Sequence, residues 1–152
     1  MKLDQRAWMG VTSVLGKPEV GKELVITIYF KNTGKTPARN VNITWVGEPV
    51  RRNGTPDFAI ENHEKRESRG IVAPQAEVSA TGVGPVLSTP DRKLDEATLK
   101  AINGGKFLIY VHGILEYDDI FEKHHWITFC YWLTPGGNNY NLCKEHNDTD
   151  NN

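Results

Sequence analysis

A chain of 152 residues with a formal charge of -1 is long enough to bury on the order of 70% of its unfolded surface, so it can form one domain whose core needs no disulfide. Its lysines and arginines are mostly spread singly, and the densest spots, Arg51-Arg52 and Lys65-Arg66, lie among acids and turn residues. That pattern offers no basic stripe for a phosphate backbone and excludes nucleic acid as a partner.

The opening, Met1-Lys2-Leu3-Asp4-Gln5-Arg6-Ala7-Trp8, lacks the apolar stretch of a signal peptide. Two readings remain, a cytosolic chain or one whose membrane segment lies before Met1, with residues 1–6 as the lead-in. Trp8 to Val14 reads as a first strand, closed by Gly16, Pro18 and Gly21. In the next run Leu24, Ile26, Ile28 and Phe30 share one face while Val25, Thr27, Tyr29 and Lys31 share the other, the period of a half-buried strand. Asn32-Thr33-Gly34 and Pro37 supply the turn, after which Val41, Ile43 and Trp45 face inward and Asn40, Asn42 and Thr44 outward. From Glu48 to Pro74 the alternation decays. A short strand is expected around Phe58-Ala59-Ile60, then an exposed loop through the charged run Glu61 to Arg69. Alternation resumes from Glu77 to Gly84 through Val78 and Ala80.

Thr89-Pro90-Asp91 then opens a helix predicted over about 90–103, with Leu94, Ala97, Thr98, Ala101 and Ile102 at helical spacing and Asn103-Gly104-Gly105 as its end. Lys106 to Tyr117 is the longest predicted strand, apolar on both faces as a central strand must be. Its partner is His124 to Leu133, across a tip running from Asp118 to Lys123. About seven antiparallel strands and one short crossover helix define an all-β chain, an immunoglobulin-like β-sandwich occupying 1–152 with a polar tail at 144–152. The Cys, Trp and Cys spacing of antibody domains is absent, and a barrel of similar strand count is the alternative.

Cys130 lies in the last long strand and Cys143 beyond the dense turn signal Pro135-Gly136-Gly137-Asn138-Asn139. With Gly136-Gly137 as a two-residue loop, the cysteines fall opposite each other in a non-hydrogen-bonded pair, and a cross-strand disulfide follows. Pro135 cannot donate that turn's second hydrogen bond; a four-residue loop keeps the cysteines opposed but changes the pair type. The other reading is two reduced thiols. A bridge implies an oxidising compartment.

His124-His125, Asp118, Asp119 and Glu122 crowd the predicted hairpin tip, and imidazoles beside carboxylates are the raw material of metal sites. Neighbours on a strand point to opposite faces, however, so His124 and His125 cannot share one ion from the sheet surface, and a solvent-facing tip is the preferred reading. His112 reads as a core or interface histidine, and His63 and His146 as loop residues. No Gly-x-Ser-x-Gly elbow occurs, neither cysteine has the setting of an activated thiolate, and the glycine pairs lack the Lys-Ser/Thr of a phosphate loop. No catalytic residue, metal or cofactor is therefore assigned. Asn42, Asn53 and Asn147 head tripeptides of glycosylation type, which an Asn-rich chain yields by chance. Trp126 and Trp132 share a strand face with Cys130 while Phe129 and Tyr131 lie on the other; one of the two faces is expected to be only partly covered, and an aromatic patch there would be a binding surface.

In Leu3 to Trp8, Phe30 to Ala38, Asn40-Val41, Gly113 to Asp119 and His125 through Phe129-Cys130-Tyr131, the chain resembles a group of uncharacterised bacterial envelope proteins, in which a membrane helix is followed by a β-sandwich. It departs from them at Phe121-Glu122, where a glycine would follow the phenylalanine. The resemblance implies an extracytoplasmic domain on the periplasmic side of the cytoplasmic membrane, anchored by a helix before Met1, and carries no functional residue with it. The first functional expectation is a non-catalytic module presenting Asp118, Asp119, His124 and Trp126 to another envelope protein or surface component. The alternatives are a metal-dependent hydrolytic enzyme built on the His and Asp tip, and a structural spacer.

Overall fold

The structure, a computed structural model, describes residues 5–84 and 91–150. In chain order its strands are β1 (Met9–Leu15), β2 (Val25–Asn32), β3 (Ala38–Arg51), β4 (Glu67–Val72), β5 (Glu77–Val83), β6 (Phe107–Asp118), β7 (His124–Leu133) and β8 (Tyr140–Leu142), with helix α1 (Glu96–Asn103) between β5 and β6. They form two antiparallel sheets, ordered β1-β2-β5 and β4-β3-β6-β7-β8. The chain leaves the first sheet after β2, returns to it at β5 and crosses again through α1. This is the scheme of an immunoglobulin-like sandwich, A-B-E facing C′-C-F-G, with β8 added beyond the last strand. The sheets stay open, so the barrel alternative falls.

Periodicity explains the core. Leu24, Ile26, Ile28 and Phe30 are at most 1% exposed. They meet Val41, Ile43, Ile109, Val111, Leu115 and Phe129 from the second sheet in one cluster. Each such side chain contributes about 1.5–3 kcal/mol of hydrophobic stabilisation. At the centre of β6, Gly113 is required by close approach: a Cβ there would lie 2.1 Å from the Thr44 carbonyl oxygen and 2.7 Å from the Phe129 ring.

Two expectations are corrected. The helix begins at Glu96, not near 90, because Leu94 is held extended by backbone bonds to Gly21 and Lys22 (2.8 and 3.0 Å). Asp95 then caps it, accepting from the Thr98 N–H at 2.7 Å, while Thr89 and Pro90 lie outside the described residues. Phe58–His63 is a 3-10 turn and not a strand, since the Asp57 carboxylate accepts the Ala59 N–H and starts a helical turn. Arg6, the last residue of the expected lead-in, is 1% exposed and paired with Asp150 at 3.0 Å. The polar tail is docked as well, running along β7 through Thr128–Asp148 and Trp126–Asp150 backbone bonds.

Candidate functional site

Because β6 and β7 alternate, every second residue turns away from the core onto an outer face. Register places Asp118 opposite His124, Glu116 opposite Trp126, His112 opposite Cys130 and Tyr110 opposite Trp132 along that face. It divides into a polar tip, a covered centre and an apolar groove.

At the tip, His124 lies between Asp118 and Glu116, with Nδ1 3.0 Å from one carboxylate and Nε2 3.4 Å from the other. Its pKa is raised, chiefly by the Asp118 hydrogen bond working against partial burial, with Glu116 adding to it. The Asp118 carboxyl is held below its ordinary value by the Asn40 side chain, which donates at 2.8 Å, and then by His124. Trp126 is half-buried beside them. Asp119 is not: it is fully buried and accepts the Phe121 and Lys123 N–H groups on Oδ1, at 2.8 and 3.0 Å. The expected four-residue surface is therefore Asp118, His124 and Trp126 without Asp119.

The alternation argument also holds for the two histidines. His125 faces inward, fully buried, with Nε2 2.8 Å from Asp119 and Nδ1 2.7 Å from Asp150. Asp150 is shared with Arg6, and the Tyr117 hydroxyl, which donates to the Ala7 carbonyl at 3.2 Å, lies 3.4 Å from the same guanidinium. Burial pushes both aspartates up, yet the bonds from His125 and backbone N–H groups, joined at Asp150 by Arg6, outweigh it and hold both carboxyls low. This network plugs one end of the sandwich. The tip thus splits between two sides of the sheet, with His124 and Asp118 on the outer side and His125 and Asp119 buried on the other.

At the centre the outer face carries its own cover. His112 is fully buried, with Nε2 2.8 Å from Glu48 on β3 and Nδ1 bonded to Glu61 of the 3-10 turn. His146 reaches in from the tail to place Nε2 2.8 and 3.0 Å from the two Glu61 oxygens. Phe58 stacks flat on His146, with centroids 4.0 Å apart, and meets His112 edge-on. Burial lowers the His112 pKa, but the bonds to Glu61 and Glu48 reverse the sign and leave it raised.

Next to this cover the cysteines are joined. Cys130 and Cys143 form a disulfide with Cα atoms 5.3 Å apart. The strands close at Thr134 and Asn139, whose N–H···O bond is 2.9 Å, around the four-residue loop 135–138. Cys143 donates its N–H to Cys130 at 3.0 Å, so the pair is of the hydrogen-bonded type and not the type a two-residue loop would give. Pro135 is the reason: lacking an N–H, it forces the longer loop. Asn147 takes the Cys130 N–H and donates to the Cys143 and Glu145 carbonyls, a structural role for one of the glycosylation-type asparagines.

Beyond the disulfide, half-buried Leu108, Tyr110 and Trp132 floor a groove of about 450 Å³, walled by Pro56 and Phe58 on one side and Lys144 on the other. Of the two faces of β7, it is the one carrying Cys130 and Trp132 that bears this aromatic surface.

Sequence reasoning missed Glu48, Glu61 and His146. Their one signal was His112, a histidine on the outward stripe of an otherwise apolar strand, which requires polar partners from elsewhere in the chain. A scan of protein-family models matches none to this chain, and a search of curated proteins returns no match.

Proposed function

We propose that this chain is a non-catalytic binding module of the bacterial envelope, working outside the cytoplasm and receiving an extended, apolar segment of a partner protein on its outer sheet face. The observation that carries this reading is the groove floored by Leu108, Tyr110 and Trp132. Tyrosine and tryptophan in a concave, partly desolvated setting are the side chains that dominate protein interfaces. The groove opens beside β8, the edge strand of its sheet, so a partner strand can add along that edge while its apolar side chains fill the groove. Asp118, His124 and Trp126 continue the same face and supply a polar rim. The disulfide supports a compartment that oxidises thiols.

Site-specific photocrosslinking tests the proposal. A benzophenone side chain at Thr55, beside the groove, should give one discrete protein adduct in intact envelope preparations, and Trp132→Ala should remove it. The same label at Thr81, exposed on the other sheet, should give none. Identical adducts from both positions, or an adduct indifferent to Trp132→Ala, refutes the reading.

A further inference from the structure

We propose that Glu61, His112 and His146 form a binding site for a divalent transition-metal ion, with zinc the best match, and that Glu48 orients the ligand His112. One ligand atom from each of the three side chains lies within 4.8 Å of the other two. Zinc bonds of about 2.0–2.2 Å in a tetrahedron require ligand atoms roughly 3.4 Å apart, so side-chain shifts of about 1 Å close the set. His146 Nε2 is already 2.8 Å from Glu61. Two imidazoles and a carboxylate suit zinc over calcium or magnesium, which demand all-oxygen shells.

Glu48 supplies the second, independent observation. A metal-bound histidine characteristically donates its other ring N–H to a carboxylate, which fixes the tautomer and raises the ligand's basicity. His112 offers Nδ1 toward Glu61 and His146 while Nε2 lies 2.8 Å from Glu48, whose carboxylate is itself held by the Asp57 N–H at 3.1 and 3.2 Å. Three protein ligands leave a fourth position for water or a partner's donor group. The ligands come from the 3-10 turn, β6 and the tail, so the ion would clip together both walls of the neighbouring groove.

Protons alone could bridge the same groups, and the experiment separates the two cases. Protein purified without a histidine tag, and stripped with a chelator, is titrated with Zn²⁺ in competition with a chromophoric chelator. One equivalent should bind. Glu48→Gln should weaken it about 10–100-fold at unchanged stoichiometry. His146→Ala lies in the tail, away from the inter-sheet core, and should abolish binding while circular dichroism stays native. Co²⁺ in place of zinc should give the intense visible bands of four-coordinate cobalt. No binding, binding unchanged by His146→Ala, or full competition by excess Ca²⁺ would each overturn the assignment.

Discussion

Replacing Asp119 with alanine should be among the most destabilising changes in the molecule that leave the hydrophobic core untouched. Its carboxylate is fully buried and accepts three hydrogen bonds: Phe121 N–H, Lys123 N–H and His125 Nε2. Alanine leaves two backbone donors without their acceptor, at about 1–3 kcal/mol for each buried unsatisfied group, and strips one partner from a buried pair, a change that costs about 3–5 kcal/mol. The two accounts overlap, so the expected loss is about 3–5 kcal/mol, or a Tm lower by about 10 °C in a chain of this size. Asp119→Asn keeps an oxygen for both N–H groups and should cost about 1–3 kcal/mol. Acid should narrow the gap between parent and alanine variant. In the folded protein the Asp119 carboxyl is held below its ordinary value, so its contribution is complete above the unfolded pKa of about 3.9 and fades as pH falls through the lower folded value. Urea titrations of the parent and both variants between pH 6 and pH 3 measure all three quantities. An alanine variant within 1 kcal/mol of the parent at pH 6, or a gap that widens on acidification, refutes the reasoning.

Two further outcomes are expected. Reducing the Cys130–Cys143 bridge, which spans 13 positions, should lower stability by about 3 kcal/mol, read from the urea midpoint with and without reductant, and the denatured parent from an envelope preparation should release no free thiol; an unchanged midpoint or two titratable thiols would contradict this. Gly113→Ala should cost at least the about 1–3 kcal/mol of ordinary overpacking, because the added methyl meets the backbone oxygen of Thr44 and not a side chain that can turn aside. A Tm within a degree of the parent would show that β3 and β6 can separate.

The sandwich was legible because its information is local. Ile26, Ile28 and Phe30 declare an inward face by spacing alone, and Cys130 and Cys143 are placed opposite each other by the turn between them. The helix start was not legible, since Leu94 is held extended by Gly21 and Lys22, far away in sequence. The centre of the outer face was hidden for the same reason. Glu61 sits in a charged run that reads as solvated loop and His146 in an Asn-rich tail; only the folded chain brings either one to His112. Asp119 was misplaced because the hairpin tip turns its carboxylate back onto its own backbone, a geometry that residue type alone does not reveal.

The tail decides whether the outer face is a surface or a site. Polarity alone would leave 144–150 in water, yet it is fastened along its length: by the Cys143 bridge just before it, by His146 to Glu61, by Asn147 and Asp148 to β7, and by Asp150 to His125 and Arg6. The last of these also anchors the entry of the chain, so the two ends of the described chain close the same end of the sandwich. Between the covalent and the ionic anchor, Cys143 to Glu145 leaves β7 and becomes one wall of the groove. An ordinary sheet would present Leu108, Tyr110 and Trp132 as a flat stripe. The docked tail and the 3-10 turn convert that stripe into a concavity, and Phe58 joins them by lining the groove while stacking on His146. The His/Glu cluster and the groove therefore share Phe58, so an ion at the proposed site and a partner segment in the proposed groove would meet through that ring.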